Sequence, residues 1–143
     1  MNRFVVDASV AVKWYLPEIH DVPARRLLTG NKELLVPDLI FSEIGNILWK
    51  RIRSGQMLET EAVAVMESLG VLPLKVAPSW PLVLSGLAIV CQTQRTVYDS
   101  LYLALAVREN AVMATADEKF YNALQATPLK AYVLWVEDIL GQD

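Results

Sequence analysis

The sequence predicts the α/β fold class, with a parallel β-sheet flanked by helices. Short apolar runs recur along the chain without polar alternation, as in strands that are buried on both faces of a parallel sheet. Stretches with apolar residues at helical spacing separate these runs. The resulting order, β-α-α-β-α-α-β-α-α-β-α-β, implies a parallel sheet that helices cover on both faces.

Five strands are predicted from the apolar runs. The first begins at Phe4 and ends at Asp7, and the run from Ala111 ends at Asp117 in the same way. The other three predicted strands cover residues 34–36, 74–76 and 132–135.

Helices are predicted between the strands from apolar spacing and from start and stop residues. Pro17 closes the first helix, Gly30 ends the second, and Gly55 ends the third. The predicted ranges are 9–16, 22–28, 38–54, 59–69 and 79–92, followed by an almost wholly apolar helix headed by Asp99 and a helix after Asp117.

The composition favours one globular unit, and residues 1–143 are expected to form a single domain. The longest nearly apolar run, Trp80–Cys91, is too short to cross a bilayer, so no membrane association is expected. The N-terminus lacks the pattern of a secretion signal, and a cytoplasmic location is expected. A hydrophobic share of 54% suggests an apolar surface patch for self-association. Trp49, Trp80 and Cys91 are interpreted as packing residues.

Four carboxylates interrupt apolar surroundings. Asp7 and Asp117 each follow a buried strand, whereas Asp99 heads a buried helix. Each of these three could simply cap a helix. Glu43 cannot cap where it stands, inside the apolar stripe of the helix at 38–54, and a carboxylate there is costly unless something pairs with it. Because parallel strands present their carboxyl ends to one edge, the topology can bring all four acids together.

Such a cluster indicates a divalent cation, since neighbouring carboxylates raise one another's proton affinity. Oxygen ligands with no histidine or cysteine partner indicate Mg²⁺ or Mn²⁺ rather than zinc. Either one ion or two ions about 3.5 to 4 Å apart would serve, with a metal-bound water attacking a phosphodiester. The net charge of −3 argues against a broad basic surface for nucleic acid, but bound divalent cations make an acidic site locally positive.

Three polar residues are candidate supports for this site. Ser9 and Thr115 would hold metal waters or a phosphate oxygen, or else cap helices and stabilise turns. Asn46, one turn after Glu43, would support that carboxylate or be exposed.

Four segments carry a resemblance to a known family. They are VVDASVAVKW at 5–14, PD at 37–38 with SEIGN at 42–46, YDSLYLALA at 98–106 and TADEKF at 115–120. In this order and at these separations they strongly resemble the PIN-domain ribonucleases, in particular the VapC-type toxins of toxin–antitoxin pairs. The resemblance covers essentially the whole chain.

The resemblance implies a PIN-like, Rossmann-like α/β/α sandwich. It also implies an Mg²⁺-dependent endoribonuclease, in which Mn²⁺ can substitute, that cuts single-stranded or loop regions of RNA. Asp7, Glu43, Asp99 and Asp117 would form its acidic quartet. A homodimer is implied as well, together with a cognate antitoxin that wraps the toxin and blocks the site.

Three alternatives differ in what they require of the sequence. A receiver domain would need a lysine just past a late strand, where Trp135 is followed by Val136 and Glu137. A haloacid-dehalogenase-like phosphatase would need a second aspartate two residues after Asp7, where Ser9 stands. A catalytically silent PIN-like binding or assembly module would be marked by the loss of one or more acids, and all four are present.

Overall fold

A computed structural model describes residues 2–141 of the chain as a parallel sheet between layers of helices. The five strands are β1 (Arg3–Val6), β2 (Glu33–Pro37), β3 (Leu74–Ala77), β4 (Val112–Thr115) and β5 (Val133–Trp135). They are ordered β3-β2-β1-β4-β5, and every neighbouring pair is parallel. The α/β fold class predicted from the sequence is therefore confirmed.

In the part of the chain that the structure describes, seven α-helices connect the strands. They are α1 (Ala8–Ala11), α2 (Asp21–Arg25), α3 (Leu39–Arg53), α4 (Glu59–Val71), α5 (Val83–Thr93), α6 (Val97–Glu109) and α7 (Glu118–Gln125). Across residues 2–141, none of them combines the length and the apolar character that crossing a bilayer requires.

Three predicted helices, the first, second and fifth, each contain a 3₁₀ turn. The second consists of α2 and a 3₁₀ turn at Arg26–Leu28. The helix expected at 9–16 consists of α1 and a 3₁₀ turn at Val12–Trp14, in which the Trp14 indole N–H donates to the Ala24 carbonyl oxygen. The helix expected from residue 79 starts as a 3₁₀ turn at Trp80–Leu82 and becomes α-helical at Val83. Proline is tolerated in such a first turn because its missing N–H has no helical partner there.

The strand β1 and the helix α6 form the centre of the core. Val5 and Val6 of β1 are fully buried, and the segment 100–106 of α6 is buried throughout. The helix packs against β1, β2 and β4. This confirms that α6 is too apolar for the surface, and its packing places its first turn beside the carboxyl end of β1.

The interpretation of two tryptophans and the cysteine as packing residues is wrong. Trp49 is 51% exposed, Trp80 is 82% exposed, and Cys91 is also exposed. The helix α5 turns Gly86 and Ile89 toward the interior, so the positions between them face outward. A helix that is apolar on every side gives no periodic signal from which its buried face can be identified.

One glycine in the middle of α3 and one just after its end are expected to respond oppositely to alanine. Gly55 has φ +77° and Gly45 lies inside the helix, and an added Cβ would meet no atom within 4 Å at either position. Gly55→Ala should lower the free energy of unfolding by about 1 kcal/mol because the left-handed conformation is strained for alanine. Gly45→Ala should raise it by about 0.5 to 1 kcal/mol through helix propensity. Urea denaturation of the two variants tests this, and changes of the same sign would contradict it.

Candidate active site

The site lies at the carboxyl edge of the two central strands. Val6 of β1 pairs with Ala114 of β4, and the Asp7 N–H donates to the Ala114 carbonyl oxygen at 3.2 Å. Asp7 and Thr115 therefore lie side by side at the ends of adjacent strands. The sequence predicts this shared edge for Asp7 and Asp117, and Asp117 follows Thr115 by two residues.

Two hydroxyl groups orient the Asp7 carboxylate. Thr115 Oγ1 donates to Asp7 Oδ2 at 2.7 Å, and Ser9 Oγ donates to the same oxygen at 3.1 Å. Each hydroxyl also accepts a backbone N–H, from Asp117 at 3.1 Å and from Ala116 at 3.0 Å. Because an ionised carboxylate can only accept, each hydroxyl donates its hydrogen to Asp7 Oδ2 while one of its lone pairs accepts the backbone N–H.

The other oxygen of Asp7 is less occupied. Asp7 Oδ1 accepts the Ser9 N–H at 3.4 Å, which makes Asp7 the N-cap of α1. The Asp7 side chain can therefore cap α1 and still offer oxygen atoms to a ligand. Asp7 Oδ1 keeps lone pairs that a cation could use, while Ser9 and Thr115 contact the carboxylate itself.

Asp7 is a buried carboxylate without a counter-ion. Its residue is only 6% exposed, and no ion pair to it occurs within residues 2–141. Burial, helped by the charges of Asp99 and Glu43 and opposed by the hydrogen bonds from Thr115 and Ser9, raises the pKa of the Asp7 carboxyl from 3.8 to about 6. A nearby divalent cation would reverse this by favouring the charged form.

Glu43 has a hydroxyl partner on α6. The Tyr102 hydroxyl donates to Glu43 Oε1, and Tyr102 is fully buried. Burial raises the pKa of the Glu43 carboxyl, the charge of Asp99 raises it further, and the Tyr102 bond opposes the rise. Asn46 is exposed, so Tyr102 rather than Asn46 is the residue that contacts Glu43.

Asp99 and Asp117 are bridged by an arginine that the sequence analysis missed. Arg95 Nη2 lies 3.3 Å from Asp99 Oδ2 and 3.0 Å from Asp117 Oδ2. Burial raises the pKa of the Asp99 carboxyl, and the charge of Asp117 adds to this, whereas Arg95 lowers it. The i,i+4 spacing of Arg95 and Asp99 was the one signal in the sequence that could have identified the pair.

Of these two aspartates, one caps its helix and the other does not. Thr96 Oγ1 accepts the Asp99 N–H at 3.1 Å, so Thr96 is the N-cap of α6 and Asp99 lies in the first turn. Asp117 caps α7, since its Oδ1 accepts the Phe120 N–H at 3.1 Å.

The four acids form one electrostatically linked group. Asp99 raises the pKa of both Asp7 and Glu43, and Asp117 raises that of Asp99. In the part of the chain that the structure describes, no three acidic, histidine or cysteine side chains converge into a preformed metal cluster. Mg²⁺ usually takes only one or two carboxylates and keeps several waters, so this oxygen-only donor set fits such an ion.

Comparison with known proteins identifies relatives across most of the chain. Residues 4–124 match the family model of the PIN domain. The chain is 34% identical over 126 residues to Ribonuclease VapC3 of Pyrobaculum aerophilum. This match covers 87% of the chain and 96% of that protein.

Two solved structures share the fold at low sequence identity. VapBC2 of Rickettsia felis, bound to a DNA fragment from its promoter, has a TM-score of 0.62 at 13% identity and covers 93% of this chain and 98% of its own. VapC20 of Mycobacterium tuberculosis, a toxin that cleaves the sarcin–ricin loop, has a TM-score of 0.64 at 17% identity. The match covers 84% of this chain and 94% of VapC20. At these identities the likeness shows the fold alone.

Proposed function

The chain belongs to the PIN-domain family, and from that premise we propose that it is an Mg²⁺-dependent endoribonuclease toxin of the VapC type. The observation that carries the proposal is the electrostatic linkage of the acidic quartet around Asp7, which is buried and has no counter-ion within residues 2–141. Four carboxylates that raise one another's proton affinity are poorly suited to a purely structural role. They suit a site that holds a divalent cation and a phosphate.

Within this proposal, Asp7 and Asp99 are the principal metal ligands, and Glu43 and Asp117 complete the set, with Mn²⁺ able to substitute. When bound, the ion supplies positive charge that offsets the phosphate and lowers the pKa of a water molecule. Thr115 and Ser9 hold Asp7 in one orientation through their hydroxyl groups.

The proposed reaction is hydrolysis of an RNA phosphodiester. A water oxygen forms a bond to phosphorus while the bond from phosphorus to one ester oxygen breaks, and that oxygen takes up a proton from the solvent and leaves as a hydroxyl group. Glu43 would take up the proton that the water loses, since a carboxylate beside the reacting water can act as a general base. Tyr102 binds Oε1 of Glu43 and thereby fixes the carboxylate.

We also propose a cognate antitoxin and a homodimer as partners. Exposed apolar surface supports both proposals. A groove of about 370 Å³ between α3 and α4 is lined by Trp49, Val63 and Met66, and the outer face of α5 exposes Leu84. Apolar surface of this kind is typical of sites that other protein chains cover.

Cleavage of an end-labelled RNA of mixed structure tests the proposed activity. The purified chain should cut the RNA with Mg²⁺ or Mn²⁺ and should stop when EDTA removes the cation, because the carboxylates alone cannot stabilise a phosphate in the transition state. Asp7→Asn, purified in the same way, controls for a contaminating nuclease. Cutting that persists in EDTA, or that the variant shares, would contradict the proposal. No cutting of a varied RNA set by folded, antitoxin-free protein would favour the silent binding module.

A further inference from the structure

We infer that Arg95 is the counter-ion of the metal-free site, and that its guanidinium competes with the divalent cation for Asp99 and Asp117. The inference rests on the proposed function and adds to it the residue that sets the affinity of the site for its metal ion.

The first observation is the position of the guanidinium. One nitrogen, Arg95 Nη2, is shared between Asp99 Oδ2 at 3.3 Å and Asp117 Oδ2 at 3.0 Å. Within residues 2–141 it is the only cationic group in an ion pair with the acidic quartet. Arg95 therefore stands where two of the proposed metal ligands meet.

The second observation is that this placement leaves Arg95 incompletely satisfied. Among the described residues, Arg95 Nε is the one buried side-chain nitrogen or oxygen without a hydrogen-bond partner. The guanidinium lies over the Phe120 ring, with its central carbon 5.6 Å from the ring centroid. An unpaired buried N–H costs free energy, so the bridging position is one that a competing cation can displace at reduced cost.

The two cations exclude each other for geometric and electrostatic reasons. Mg²⁺ binds oxygens at about 2.0–2.1 Å, so an ion held between the carboxylates of Asp99 and Asp117 would overlap the position of Arg95 Nη2. A divalent ion and a guanidinium a few ångströms apart also repel strongly in a partly buried site. Metal binding therefore has to move Arg95 away from Asp99.

Competition makes a prediction that a structural role does not. If Arg95 only supported the fold, its removal would loosen the carboxylates and weaken metal binding. If it competes, Arg95→Gln should bind Mn²⁺ about tenfold more tightly, comparable to the shift of one pKa unit or more that a neighbouring arginine causes in a carboxylate. Asp117 would still cap α7 in this variant, because the Phe120 N–H bond does not involve Arg95.

The experiment is an equilibrium titration of the full chain with Mn²⁺, in which the free ion is measured by electron paramagnetic resonance without RNA. Arg95→Gln is compared with Arg108→Gln, which removes the same charge from the opposite end of α6, where Arg108 pairs with Glu109. Arg95→Lys keeps the charge and should bind with an affinity between those of the wild type and Arg95→Gln. Arg108→Gln should match the wild type, and circular dichroism confirms that each variant is folded.

The outcomes separate this inference from the proposed function. Tighter binding by Arg95→Gln alone supports competition. Unchanged or weaker binding by folded Arg95→Gln overturns it, while weaker binding by Asp7→Asn in the same titration leaves the proposed metal site standing. If no protein binds Mn²⁺ saturably, or if Asp7→Asn binds it as the wild type does, both the metal site and the competition are overturned.

Discussion

Asp7→Asn should lower the rate of RNA cleavage by about 100- to 1,000-fold, the loss expected when several kcal/mol of metal-derived stabilisation leave the transition state. The asparagine oxygen can still accept the Thr115 hydroxyl, so the side chain should keep its place while losing its charge. Single-turnover cleavage at saturating Mg²⁺ measures the effect. A variant that cleaves as fast as the wild type would show that Asp7 is misassigned.

The same substitution should stabilise the metal-free protein at neutral pH. Burial raises the pKa of Asp7 from 3.8 to about 6, so the folded state binds its proton more tightly than the unfolded state does. Stability from this group is complete below pH 3.8 and is lost as the pH rises through about 6. Asp7→Asn escapes that loss and should gain about 2 to 3 kcal/mol at pH 7.

Urea denaturation in EDTA at pH 4 and at pH 7 tests this gain. The free energies of unfolding of the wild type and Asp7→Asn should differ little at pH 4 and clearly at pH 7. Glu33, whose pKa is lowered chiefly by its hydrogen bond with Lys75, titrates in both proteins and so cancels in the comparison. A variant that is no more stable than the wild type at pH 7 would show that the buried charge carries no such cost.

Asp99→Asn should also lower cleavage by about 100-fold or more, because it removes the charge that links Asp7, Glu43 and Asp117. Its effect on stability should differ from that of Asp7→Asn. Asp99 is less buried than Asp7, and Asp99→Asn loses the ion pair with Arg95. The stability gained by removing a desolvated charge is therefore offset.

Asp21→Asn is the matched control for Asp99→Asn. Asp21 also lies in the first turn of its helix and forms an i,i+4 ion pair, with Arg25 at 3.3 Å, but it does not contact the acidic quartet. It should retain the cleavage rate of the wild type. Equal rates for Asp21→Asn and Asp99→Asn would remove Asp99 from the site.

Local sequence patterns single out the four acids of the proposed quartet. Asp7 and Asp117 were identified because an apolar run stops at each of them, and Glu43 because it breaks an apolar helical stripe. These signals arise because a buried strand or helix face requires apolar residues, so a carboxylate among them stands out in the sequence. The same patterns failed for Trp80 and Cys91, since a helix that is apolar all round does not show which side meets solvent.

The sequence by itself determined the strands, their parallel arrangement and the positions of the acids, because apolar periodicity and helix boundaries are local properties. Only the tertiary structure decided which groups satisfy those acids. Thr115 reaches Asp7 because β1 pairs with β4, and Tyr102 reaches Glu43 because α6 and α3 both pack against β2, across separations of 108 and 59 residues. Arg95 meets Asp117 over 22 residues in the same way. Such contacts depend on strand register and helix packing, which no local pattern records.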